Sequence, residues 1–159
     1  MKNCFILFLL VIVASCSDPC EDVLCGDNGV CDEGVCICDT GVYGDKCSQL
    51  YRDDFLGTWA VSDLECNIGN SATSAVLTFS AGTNVDEFQI TSSITPDLLL
   101  VAKVDSISFV IEDQIIFFGV DVNYSGAGSL NSPTEVTLDL TQKSEGQDDR
   151  ICTFQLRKN

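Results

Sequence analysis

Six cysteines crowd into one short stretch, at Cys20, Cys25, Cys31, Cys36, Cys38 and Cys47, separated by four, five, four, one and eight residues. A segment of roughly thirty residues cannot bury enough apolar surface to fold by itself, so cross-links have to restrain its unfolded state instead. Ten cysteines in a chain of 159 residues call for an oxidising compartment. Spacing alone does not choose among the connectivities that six cysteines allow.

The N-terminus supplies a route to such a compartment. Lys2 gives a positive start, and Phe5 to Val13 is unbroken apolar sequence. That run is shorter than the ~20 residues a bilayer span needs, and residues 1–15 read as a cleaved export signal. Val13-Ala14-Ser15-Cys16 resembles the lipobox of bacterial lipoproteins. The resemblance implies cleavage before Cys16, acylation of Cys16, and a short tether over residues 16–19. Several acyl chains on one residue make a firm membrane anchor. Cysteine counting agrees, because Cys4 leaves with the signal, eight others can pair, and Cys16 is left over. Asp18, Glu21 and Asp22 resemble the acidic surface-export signal of Bacteroidetes-type lipoproteins. A rival reading is a eukaryotic secreted protein cleaved after Ser15, with Cys16 left as a free thiol.

Residues 20–48 resemble an EGF-like module. The match is Cys36-x-Cys38, five residues, then Gly44-x-x-Cys47, with Tyr43 at the aromatic position. The resemblance implies the pairs Cys20–Cys31, Cys25–Cys36 and Cys38–Cys47. Gly41 and Gly44 suit the tight turns of a terminal hairpin, where positive φ is needed. Calcium is not expected. Ser17-Asp18-Pro19 lacks the acidic ligand set of calcium-binding modules, and Asp32 to Val35 is too short to add further ligands. A rigid spacer or recognition knob is the role that remains.

Residues 49–54 read as a linker, and residues 55–159 as a second domain built of strands. Leu98, Leu100, Ala102 and Val104 alternate with their neighbours, as do Ile107, Phe109 and Ile111, and again Val136, Leu138 and Leu140. Period two marks strands with one buried face. Strands are expected near 57–66, 74–80, 87–94, 98–105, 107–112, 114–125, 134–142 and 150–157, with turns that include Asp113-Gln114 and Gly126 to Pro133. About eight strands in an antiparallel meander can close into a barrel. Cys66 and Cys152 are the last two cysteines, on the first and last strands, and a bond between them makes those strands neighbours. Trp59 and Val61 are out of phase with Leu64 and Cys66, which calls for a bulge near Ser62-Asp63.

Phe55-Leu56-Gly57-Thr58-Trp59 resembles the Gly-x-Trp start of lipocalin-like barrels. The resemblance implies that Trp59 plugs one barrel end and that a late arginine, Arg157 by position, packs over it. The chain as a whole is similar to Bacteroidetes lipoproteins that join an EGF-like module to a lipocalin-like domain. The expected fold class is therefore mainly β, a small disulfide-rich module followed by an antiparallel, about eight-stranded barrel.

Chemistry is constrained by what is missing. The sequence has no histidine, which removes the commonest general base and zinc ligand. No Gly-x-Ser-x-Gly elbow, phosphate loop or zinc-finger spacing is present, and no cofactor or metal is expected. Gly126-Ala127-Gly128 is followed by no helix and marks a strand bend or turn. Asp53-Asp54, Glu112-Asp113 and Asp148-Asp149 read as solvated linker or turn residues, not catalytic pairs. With 24 acidic and 8 basic residues, the net charge of −16 disfavours nucleic acid and anionic membrane surfaces. Membrane contact is expected through the lipid anchor alone. Asp105-Ser106-Ile107 resembles a Bacteroidetes O-glycosylation triplet.

These readings point to a non-enzymatic surface lipoprotein of the cell envelope, displaying a binding or adhesion module to a protein or glycan partner. Two alternatives depend on the barrel interior. Phe79, Phe88, Phe109, Phe118, Tyr124 and Phe154 are expected to face inward. If they fill the barrel, a structural or accessory subunit of an outer-membrane complex follows; if they leave a cavity, a small-ligand carrier follows.

Overall fold

A computed structural model describes residues 18–69 and 74–159. Residues 1–15, expected to be an export signal, and Cys16 lie outside the described residues. The N-terminal module has two hairpins, β1 (Gly29–Asp32) with β2 (Val35–Cys38), and β3 (Val42–Tyr43) with β4 (Gln49–Leu50). Glu33 and Gly34 turn the first hairpin at φ of 49° and 86°. Disulfides join Cys20 to Cys31, Cys25 to Cys36, and Cys38 to Cys47. Val42 and Cys47 are buried, whereas Leu24, Val30, Val35 and Ile37 face solvent. So small a core leaves cross-linking as the source of order in this module.

Residues 49–54, read from sequence as a linker, are structured. Gln49 and Leu50 complete the second hairpin, and α1 (Tyr51–Phe55) follows as a single helical turn. Tyr51 stacks on Tyr43 with ring centroids 4.4 Å apart, and its N–H donates to the Gly41 carbonyl at 3.0 Å. Gly41 adopts φ of 85°, and a Cβ there would lie 2.6 Å from that of Asp86. Only glycine permits this approach. Arg52 then donates to the carbonyls of Gly82, Asn84 and Glu87. Polar side chains that look like a spacer in sequence thus dock the module against the barrel.

The barrel strands are β5 (Gly57–Cys66), β6 (Val76–Ala81), β7 (Glu87–Ser92), β8 (Leu99–Asp105), β9 (Ser108–Phe117), β10 (Asp121–Ser132), β11 (Glu135–Ser144) and β12 (Arg150–Lys158). They form a closed antiparallel meander in the ring order β10-β11-β12-β5-β6-β7-β8-β9. Closure pairs β5 with β12, and Cys66 and Cys152 are direct partners joined by a disulfide. Ser62 is the extra residue between Asp63, paired with Gln155, and Val61, paired with Leu156. Its hydroxyl donates to the Gln155 carbonyl at 2.9 Å, and the bulge puts Trp59 and Leu64 on one inner face.

Two expected turns are strand instead. β9 continues through Asp113-Gln114 and reverses at Phe118 to Val120, where Gly119 has φ of 82°. Glu112 and Asp113 together oppose Ser125, so this polar pair marks a bulge. β10 likewise runs through Gly126 and Gly128. A Cβ at Gly126 would collide with the Asp139 carbonyl, and one at Gly128 with the Phe109 ring. Those glycines serve close packing within a strand, not a turn. Between β8 and β9 the ladder has only the partners Lys103–Val110, Val104–Phe109 and Asp105–Ser108. Above them the Gln114 carboxamide stands in for a strand peptide: it accepts from the Val101 N–H at 2.8 Å and donates to the Val101 carbonyl at 2.6 Å.

Candidate functional site

The two ends of the barrel interior differ. Nearest the module, α1 delivers Phe55 into the barrel, where it stacks on Phe88 at 5.5 Å and meets Phe109 edge-on at 5.3 Å. Phe79 and Phe88 stack at 5.0 Å. Trp59 is fully buried, and its indole N–H donates to the Phe55 carbonyl at 2.8 Å. The aromatic plug is thus tied by a hydrogen bond to the helix that caps it.

The cation over this plug is not Arg157. The Lys158 ammonium lies 5.1 Å from the Trp59 ring centroid and donates to the Asp54 carbonyl at 3.3 Å. Strand parity explains the correction. Leu156 is buried, so Arg157 points outward and pairs with Glu135 at 3.2 Å, while Lys158 returns to the inner side. Gly57 has φ of 133°, and a Cβ there would stand 3.1 Å from the Lys158 Cε. The glycine of the Gly-x-Trp motif therefore makes room for the lysine stem.

Away from the module the interior opens into a cavity of about 170 Å³. Its apolar wall includes Leu77, Ile90, Leu98, Leu100, Leu138 and Leu140. Side-chain size grades along the strands. The inner residues of β6 and its approach run Ala75, Leu77, Phe79, and those of β7 run Ser92, Ile90, Phe88, from cavity to plug. The void arises because small residues stand where the other end has phenylalanine. That gradient is present in the sequence, where counting large inward residues without their order along each strand conceals it. Of the six aromatics expected inside, Phe79, Phe88 and Phe109 fill the plugged end. Tyr124 and Phe154 line the cavity, and Phe118 lies in the β9–β10 turn, edge-on to Tyr124 at 6.4 Å.

Polar groups are few here. Arg150 lines the cavity with Tyr124 and Gln142, and its guanidinium donates to the Cys66 Sγ at 3.7 Å. Burial raises the Tyr124 phenol above its ordinary range, and the Arg150 charge pulls weakly the other way. Tyr124 is therefore a neutral hydroxyl at any physiological pH. None of the described acidic residues lines this cavity.

The remaining sequence candidates lie elsewhere. Asp53 and Asp54 are on α1, Glu112 pairs with Lys103 at 3.1 Å, and Asp149 with Lys143 at 3.6 Å. No group of three or more metal-ligating side chains comes together among the described residues. Asp105-Ser106-Ile107 forms the exposed β8–β9 turn, with Ser106 at φ of 58°. The β9–β10 tip presents Ile115, Phe117 and Val120 to solvent.

No protein-family model matches the chain, and no curated protein matches it. Among solved structures, the chain is similar to EF1p2_mFAP2b bound to DFHBI, with 18% identity, a TM-score of 0.45, and coverage of 70% of this chain and 100% of that one. A likeness this distant carries no weight for function.

Proposed function

We propose that the chain is a small-ligand-binding barrel, held at a cell envelope through Cys16, with the EGF-like module as its spacer. The observation that carries this reading is the half-filled interior: an aromatic plug at the end nearest the module and an apolar cavity of about 170 Å³ at the other. A void of about 150 Å³ lined by aliphatic side chains suffices to bind benzene, so this one suits a single ring or a short chain. The module docks at the plugged end, opposite the cavity, as suits a spacer beneath a binding barrel. The lipobox resemblance and the cysteine count support the anchor.

The test is a thermal-shift titration of the full chain with 2-phenylethanol and 1-hexanol, both neutral. Binding to the native state raises the melting temperature with concentration. The Ala75→Leu variant, which adds bulk at the cavity wall, is expected to lose that rise. No saturable shift with either alcohol or with the acids of the same shape, phenylacetate and hexanoate, would remove the ligand reading.

The exposed β9–β10 tip favours a second reading, contact with a surface partner. Ile115 and Phe117 are 69% and 71% exposed on neighbouring outward positions of one strand. A photo-crosslinking residue at position 117 on intact cells is expected to give one discrete product. A smear or no product would remove this reading.

A further inference from the structure

The cavity has a chemical polarity that narrows its ligand. Its wall is mostly apolar; Ser92 and Thr95 add hydroxyls, and Arg150, Tyr124 and Gln142 bring its charge and its larger polar groups. Arg150 is one of only three arginines in the chain. Arg52 holds the loop between β6 and β7, and Arg157 pairs with Glu135 on the outer face; Arg150 is the one that lines the cavity, where it also donates to the Cys66 Sγ. In a chain with 24 acidic residues against 8 basic, a cavity that holds an arginine and none of the described carboxylates has a charge opposite to that of the whole.

A guanidinium at the side of an apolar cavity is a fork of N–H donors that matches a carboxylate geometrically. The low-dielectric wall strengthens its attraction for an anion relative to water. Tyr124 adds a hydroxyl that burial keeps protonated, hence able to donate to the same anion. Gln142 sits beside Tyr124 as its direct strand partner and adds a carboxamide donor.

We infer that the ligand is a small amphipathic anion, one ring or a short chain carrying a single carboxylate, bound with its apolar body among the leucines and its head on Arg150, Tyr124 and Gln142. This rests on the ligand-binding reading above and adds the charge, the head-group site and the orientation. The size follows from the cavity. The aromatic plug, which occupies the other half of the barrel, limits how deep that body can reach.

The experiment compares acids with alcohols of the same shape on the full chain: phenylacetate against 2-phenylethanol, and hexanoate against 1-hexanol, by calorimetric titration at neutral pH. Each acid is expected to bind at least tenfold more tightly than its alcohol. Arg150→Gln is expected to erase that preference while leaving alcohol binding intact, and Arg150→Lys to keep part of it. Intact alcohol binding also shows that the variant is folded. If Arg150→Gln does not fold, Tyr124→Phe with Gln142→Leu is expected to cut acid affinity several-fold while sparing the alcohols. Alcohols that bind as well as or better than the acids would overturn the anionic assignment and leave the ligand reading standing. Failure of all four compounds would overturn both.

Discussion

The disulfide-rich module and the barrel solve the same problem by opposite means. The module leaves Leu24, Val30, Val35 and Ile37 in solvent and spans three disulfides within 28 residues. The barrel carries a buried cluster running from Phe55 to Leu156 and a single disulfide. One region is ordered by restricting its unfolded chain, the other by removing apolar surface from water. A second contrast lies inside the barrel, where one end is packed with rings and the other is not. Covalent restraint suits a spacer, tight packing suits a scaffold, and the loosely filled end is where the molecule has space to bind.

Reductant gives the largest separation of these mechanisms. Thiol treatment is expected to abolish the module's structure entirely while the barrel keeps its strand signal, as read by NMR on the reduced full chain. Replacing Cys66 and Cys152 with serine removes an 86-residue separation from covalent closure. The chain-entropy model caps that loss at about 4–5 kcal/mol by denaturant titration. Loss of the barrel fold on simple reduction would break the comparison.

Core truncation separates the two barrel ends. Phe88→Ala, within the plug, is expected to cost about 3–5 kcal/mol, and Leu98→Ala, at the cavity wall, no more than about 2 kcal/mol. Equal costs would mean that both ends are packed alike. Enlargement is expected to run the other way. Ala102 is fully buried opposite Phe88, so Ala102→Val should cost about 1–3 kcal/mol, whereas Ala75→Val, into the void, should be neutral or stabilising.

Smaller effects sharpen the picture at the plug. Lys158→Ala is expected to lose about 0.5–2 kcal/mol with its position over Trp59, and Arg157→Ala to stay within about 0.5 kcal/mol, as for a surface pair. At the open end, the Tyr124 phenol is raised by burial, so its share of stability is present below the ordinary tyrosine range of about 10 and is lost as pH rises through the folded value. Tyr124→Phe should flatten the alkaline limb of the stability curve.

Much of this was legible from the residues, and the exceptions share a cause. Period-two alternation marks the strands because each has one wet and one dry face. The phase conflict between Trp59 and Leu64 locates the Ser62 bulge. What misled was polarity taken as a turn signal. Asp113-Gln114 and Gly126 to Ser132 carry turn-forming residues, yet one Gln side chain bridges to β8 and two glycines admit neighbouring atoms. Such uses depend on partners distant in sequence. The structure within the linker, residues 49–54, was hidden for the same reason, since Arg52 acts on carbonyls some thirty positions away. Arg157 and Lys158 are adjacent, and only the register against β5 decides which one faces the tryptophan.

The central claim is that the barrel has one packed end and one open, ligand-accepting end. Methyl-resolved NMR of the full chain titrated with benzene tests it directly. Saturable shifts are expected at Leu77, Ile90, Leu98, Leu100 and Leu138, with Val104, Ile111, Val136 and Leu156 unmoved. Shifts spread evenly over both sets, or none that saturate, would contradict it.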